Sequence, residues 1–408
     1  MKILVVSQYF WPENFRINDL VSGLRASGHE VTVLTGWPNY PDGKVFSAFR
    51  ENSAAFSTYE GAEVIRAPMI PRGGNAAMLA LNYLSYALSA SVVGAWKLRG
   101  RRFDAIFVFQ TSPVTAALPA ILLGSLKRTR VLMWILDLWP DTLQAVGVVR
   151  SPRVLGMVGA LVRFIYKRCE LVLVQSRAFM PNVARHGAGA YKTRYFPNWI
   201  EPTFADGAGS DDEVPEMAAF RDTFNLMFAG NIGEAQDMPS VLDAAELTRD
   251  LDDVRWLVVG DGRAMDSLRA EIRRRDLEGR VILLGRYPVE RMPGFFAEAD
   301  AMLVSLKAEP IWAMTIPGKV QSYLAVGKPV LAMLDGEGAR VIAEAGGGLV
   351  SPAGDGAALA QNVRRMRALT PTQRRAMGAS GRAYAVREFD RDRLFTQLEA
   401  WLGGSVSG

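Results

Sequence analysis

The chain has 408 residues, 49% of them hydrophobic and 22% charged, which fits a soluble globular protein of two to three domains and excludes a disordered or fibrous one. A single cysteine, Cys169, excludes an internal disulfide, and with only His29 and His186 beside it no closed zinc site can be assembled. The net charge of +5 is unevenly spread: residues 1–205 carry 23 Lys and Arg against 12 Asp and Glu (+11), residues 206–408 carry 24 against 30 (−6), so the first half is suited to an anionic partner.

The opening MKILVVSQYF lacks the basic start, apolar stretch and cleavage site of a secretory signal, and the chain is expected to stay inside the cell. A strand is predicted at 3–6. Ile17, Leu20, Val21 and Leu24 then have the spacing of one helix face, Gly28 ends that helix, and 31–34 reads as a second buried strand. This is a β-α-β unit of parallel type. Apolar runs at 105–109, 131–136 and 171–174 extend the same sheet.

Residues 76–96 contain no charge and are followed by Lys97, Arg99, Arg101 and Arg102. The stretch is long enough to span a bilayer, but its asparagine, tyrosines, serines and glycine, and its place between strands, favour a core helix or a helix resting on a lipid interface. Around 205–219 the composition turns polar and acidic, as in a connection between domains. Strands at 226–228, 254–259, 281–284, 301–304 and 330–333 then alternate with helical stretches at 263–275 and 291–298. The fold class is therefore α/β, two Rossmann-like domains, whose ligands are expected at the carboxyl ends of the strands and in a cleft between the two.

Two glycine-rich turns follow strands of the second half. Gly230-Asn231-Ile232-Gly233 leaves the first strand, the usual place for a phosphate loop, whereas Gly260-Asp261-Gly262 follows the second and reads as a structural turn. The segment from Glu309 to Ala332 is more specific. A strand ends near Val304, a loop with Ile316, Pro317 and Gly318 follows, and a helix begins at Lys319, so free N–H groups and an ammonium face an anion. Asp-x-Asp at 250–252 and 390–392 lies in charged, helix-like surroundings and reads as surface, not as a metal site.

The run PGKVQSYLAVGKPVLA (317–332) resembles the donor-binding segment of the retaining glycosyltransferases of family 4, which have the GT-B fold. MKILVVSQYFWPE, LRASGHEVTVLTG, DLWPD (137–141), PNWIEP (197–202), AGNIGEAQDM, LVVGDGRA, GEGARVIAEAGGGLVSPAGD and the final REFDRDRLFTQLEAWL spread the likeness over nearly the whole chain. It is most similar to the branch of bacterial surface-polysaccharide enzymes that includes N-acetyl-L-fucosamine transferases. The resemblance implies an acceptor domain over 1–205, a nucleotide-sugar domain over 206–385, and a C-terminal helix over 386–408 that packs back on the first.

By the same resemblance, Lys319 would neutralise the departing diphosphate, Gly318, Ile316 and Pro317 would lie along the nucleotide, and Gln321 would hold the ribose. The family's two glutamates, eight positions apart, are Ala313 and Gln321 here, which leaves Glu309 as the nearest carboxylate for the donor sugar, against the alternative of a solvated loop residue. The family's Arg and Lys after the first strand of the second domain are Asn231 and Asp237, so the diphosphate would rest on N–H groups of Ile232 and Gly233, on Lys319 and on Arg286. In the first domain Asp137 orients a substrate or is a satisfied structural carboxylate, and Trp11, Glu13 and Arg16 meet the acceptor or pack over the sheet edge.

The function expected is transfer of a sugar, an N-acetylated 6-deoxyhexose or N-acetylhexosamine, from a UDP-sugar to an undecaprenyl-diphosphate-linked saccharide, with retention and with neither cofactor nor metal. The protein would be cytoplasmic and peripheral on the inner face of the plasma membrane, its basic half against anionic lipid. Scattered arginines and the absence of a recognised module speak against nucleic acid. The competing readings are a UDP-sugar 2-epimerase, disfavoured by the scarcity of histidine, and a non-catalytic sugar-nucleotide or membrane-surface binding protein.

Overall fold

A computed structural model describes residues 1–145, 147–207 and 214–405. Among the described residues, fourteen strands form two sheets. The first contains β1 (Lys2–Val6), β2 (Glu30–Gly36), β3 (Thr58–Tyr59), β4 (Ala62–Ala67), β5 (Ala105–Gln110), β6 (Val131–Ile135), β7 (Leu171–Val174) and β8 (Thr193–Tyr195), in the order β3-β4-β2-β1-β5-β6-β7-β8. Every pair is parallel except β3 with β4. β5, β6 and β7 are buried at every residue, and this is why they read as continuous apolar runs: helices cover both faces of a parallel sheet.

The uncharged stretch is the helix Ala76–Lys97, whose start is capped by the Asn75 side chain accepting from the Met78 N–H. It belongs to the first unit's own layer. Asn82 accepts from Gln8 and donates to the Ile70 carbonyl, and the Tyr86 hydroxyl donates to the Ser7 carbonyl, tying the helix to the end of β1. Its opposite face, with Leu84, Leu88, Val92 and Trp96, is exposed. The helix is long and apolar enough to cross a membrane, yet these bonds hold one face of it against the sheet.

The second sheet contains β9 (Phe224–Ala229), β10 (Val254–Val259), β11 (Val281–Gly285), β12 (Ala301–Ser305), β13 (Val330–Met333) and β14 (Gly348–Ser351), all parallel, in the order β11-β10-β9-β12-β13-β14. Side chains alternate along β9: Leu226 and Phe228 enter one apolar cluster, Met227 and Ala229 the other. The sheet thus separates two cores.

The chain divides into two units, Met1–Phe196 with Asp392–Gly408, and Pro197–Arg391. Both edges differ from those expected at 205/206 and 385/386. Residues 197–205 go with the second unit because Ile200 and Phe204 enter its core and the Ile200 N–H donates to the Phe389 carbonyl. That bond also keeps 386–391 there. The final helix, Arg391–Gly403, lies in the first unit from Asp392 onward, with Trp401 edge-on to Phe196 at 6.0 Å and Glu399 3.5 Å from His29.

Candidate functional site

In the second sheet the strand order reverses between β9 and β12, the position at which open parallel sheets bind ligands beyond their carboxyl ends. The helix Gly318–Ala325 faces that point. Lys319 and Tyr323 are four residues apart and share one face of it. The Tyr323 hydroxyl accepts from the Ala229 N–H at 2.9 Å and donates to the Ala229 carbonyl at 3.0 Å, which pins the helix to the end of β9.

Lys319 Nζ lies 3.4 Å from the centroid of the Phe228 ring and, though buried, makes no hydrogen bond. Burial pushes its pKa down to about 7. A Cβ on Gly230, whose φ is +127°, would fall 2.8 Å from Lys319 Cε, so the side chain has its place only because Gly230 has none. Pro317, at the N-cap, offers no side-chain cap, so the N–H groups of Gly318 and Lys319 at the helix start are left without one, while that of Val320 donates to the Pro317 carbonyl. A buried, unpaired ammonium beside uncapped N–H groups favours an incoming anion.

The Gly230 turn itself differs from expectation. The Ile232 N–H donates to the Asp261 carbonyl at 2.9 Å, and the Gly233 N–H donates to Gln236 Oε1 at 2.8 Å. Neither is open to a diphosphate: the first is consumed by the neighbouring turn, the second by a local side chain. The Gly260 turn is structural, as its place after the second strand suggests. A Cβ on Gly260 would meet the Gly230 carbonyl at 2.0 Å, and one on Gly262 the Ile232 carbonyl at 2.2 Å.

The other donor-side residues are dispersed. Ile316 is a core side chain, not a lining residue. Gln321 is buried, and with its amide assigned to satisfy both contacts its nitrogen donates to the Pro317 and Gly318 carbonyls, each at 3.2 Å, so it braces its own helix rather than offering itself to a ribose. Gly318 and Pro317 stand at the helix start. Glu309 is exposed and begins the short turn Pro310–Ala313. Arg286 is exposed just after β11, two strands from β9. Asp250 and Asp252 pair with Arg364 and Arg280.

At the carboxyl ends of the first sheet, Asp137 accepts from Trp139 Nε1 at 3.2 Å and from the Thr142 hydroxyl, with Ser112 beside it. Burial raises its pKa, and these donors oppose the rise. They account for the carboxylate as a structural group. Glu13 is likewise structural and not free for an acceptor: Oε1 accepts the N–H groups of Asn39 (2.8 Å) and Tyr40 (2.7 Å), and Oε2 that of Phe10 (3.1 Å). Trp11 packs 5.1 Å from Phe56 and 5.5 Å from Tyr59. Arg16 begins the helix Arg16–Ala26.

Sequence reasoning overlooked the polar cluster beside Asp137. Arg72 lies beside Tyr9 and 5.7 Å over the Tyr40 ring, while Tyr83 lies beside Ser112 and stands edge-on to Trp139 at 5.9 Å. Tyr323 was also missed, although its four-residue offset from Lys319 would have indicated it.

The glycosyl transferase 4-like domain family matches residues 14–199, and the glycosyl transferases group 1 family matches residues 223–368. A protein of Escherichia coli (strain K12) that carries the name colanic acid biosynthesis glycosyl transferase WcaI is 28% identical over 346 residues, 80% of this chain and 82% of that protein. Among solved structures, Anabaena Alr3699/HepE in complex with UDP superposes with a TM-score of 0.71 at 17% identity, covering 98% of this chain and 99% of that one. WaaG, a glycosyltransferase involved in lipopolysaccharide biosynthesis, does so with 0.66 at 15% identity, covering 99% and 100%. With the two parallel α/β units, these likenesses establish the GT-B fold.

Proposed function

We propose that this chain, whose residues 14–199 match the glycosyl transferase 4-like domain family and whose residues 223–368 match the glycosyl transferases group 1 family, transfers a sugar from a UDP-sugar to a lipid-linked saccharide in surface-polysaccharide synthesis, with retention. The observation that carries the reading is the Lys319 ammonium, buried against the Phe228 ring without a hydrogen-bond partner at the switch point of the second sheet. A diphosphate placed there would meet this amine and the helix N–H groups. The uridine nucleotide is supported by the neighbour solved with UDP, and the polymer by the name of the E. coli relative. Retention, an N-acetylated sugar and the cytoplasmic membrane face rest on the resemblance described above.

In the step proposed, the bond between the sugar's anomeric carbon and the diphosphate breaks, the acceptor oxygen bonds that carbon from the same face, and the hydroxyl proton passes to the departing diphosphate. Lys319 and the helix start stabilise the charge that develops on the leaving oxygen, a role that needs no metal ion. Both histidines lie in the first unit, and the unit that holds Lys319 contains none to serve a 2-epimerase as acid or base. Thermal unfolding with nucleotides and chelator tests the proposal. UDP is expected to raise Tm more than ADP or GDP, and Lys319→Ala to remove most of the rise. No shift with any nucleotide would favour the non-catalytic alternative.

A further inference from the structure

An apolar groove in the first unit lies between the helix Ala76–Lys97 and the helix Pro152–Arg168, with Leu79, Tyr83, Leu84, Trp139, Val154 and Val158 among its walls and no charged residue in its lining. Tyr83 and Trp139 are both groove walls and neighbours of Asp137, Trp139 donating its indole N–H to that carboxylate, with the charges of Arg72 and Asp137 both acting on Tyr83. Leu84 belongs to the groove and also starts the exposed row Leu84, Leu88, Val92, Trp96, whose four-residue spacing keeps it on one helix face. Arg150 and Arg153, exposed, adjoin the groove residues Val149 and Val154 in sequence.

A ligand matching this layout is hydrocarbon along most of its length, anionic at a junction beside Arg72 and polar beyond it. We propose that the groove receives the first isoprenoid units of the lipid that carries the acceptor, with the lipid diphosphate at the Tyr83–Trp139 end. This rests on the acceptor reading of the proposed function and adds where the lipid lies. Burial of methyl-branched carbons in a lining without charge supplies affinity. The exposed arginines complement the diphosphate and the anionic surface from which the lipid would be drawn.

The probe is farnesyl diphosphate carrying a diazirine at its hydrocarbon end, photolysed with the full chain and mapped by peptide. Adducts are expected within 76–84 or 148–161, displaced by undecaprenyl diphosphate. Val158→Asp, which sets a charge in the groove, should lower the yield at least about tenfold while Val158→Ile preserves it. UDP-induced stabilisation, read from the second unit, should persist in both variants, and wild-type circular dichroism with an unchanged first-unit amide exchange pattern shows that the first unit, which holds Val158, still folds. Adducts elsewhere, or an unchanged yield in Val158→Asp, would overturn the inference. So would equal displacement by phospholipid vesicles without isoprenoid, which would assign the groove to bilayer acyl chains, or adducts joining two copies of the chain. Loss of the UDP effect in wild type with groove adducts intact would strike the donor reading alone.

Discussion

Lys319 concentrates the argument at the scale of single residues. Its folded pKa of about 7 lies below the ordinary 10.5, so the unfolded chain holds that proton more tightly. The charge therefore costs stability fully below pH 7, and the cost fades as pH rises and vanishes above 10.5. Lys319→Met should accordingly raise the stability of the nucleotide-free protein at pH 7 by on the order of 2 kcal/mol, with the gain shrinking toward pH 10 in denaturant titrations. A gain independent of pH would locate the effect in packing instead. Glu13 is the opposite case, a buried carboxylate whose value lies in the three N–H groups it accepts. Glu13→Ala leaves those donors unsatisfied and should cost about 3 kcal/mol or more, with the UDP response of the second unit unchanged. Loss of that response would move Glu13 from scaffold to substrate.

At the scale of elements, the helices and strands that run continuously apolar were legible, and so was the helix start at Pro317-Gly318-Lys319, because a lysine after Pro-Gly beyond a buried strand has few other uses. What was not legible depends on partners far along the chain. The N–H of Ile232 is taken by Asp261, and Glu13 is captured by residues 39 and 40; glycine content and a nearby arginine could show neither. β4 escaped because Glu63 and Arg66 interrupt its apolar pattern, and β14 because Gly348 and Ser351 leave only Leu349 and Val350 apolar. The basic end of the helix Ala76–Lys97 is sorted by the structure. Arg101 is held by Glu63 and Thr32, whereas Lys97, Arg99 and Arg102 are exposed. Replacing Arg99 and Arg102 by glutamine should weaken cosedimentation with anionic vesicles about threefold to tenfold at low salt, without loss of stability. Unchanged sedimentation would remove this helix end from the proposed membrane face.

At the scale of the whole molecule, the charge asymmetry of the sequence falls on two separate units. The first holds the basic helix ends, the apolar groove and the Arg72 cluster; the second holds Lys319 and the uncapped helix start. This division matches the two substrates proposed above, one anchored in lipid and one a soluble nucleotide, and the GT-B fold supplies a sheet with its own switch point for each. The GT-B fold was readable from motifs spread over nearly the whole chain. The contacts of the site were not, because they are made by side chains whose neighbours are set only when each sheet is assembled. The central claim, that the Lys319 amine receives the donor's diphosphate, is tested most directly by NMR of the lysine Cε carbons in 13C-labelled protein, titrated with and without UDP and assigned with Lys319→Met. The free protein should show one resonance with a midpoint near pH 7, and saturating UDP should shift that midpoint upward by more than one unit as the anion stabilises the ammonium. A midpoint that UDP leaves in place would contradict the account.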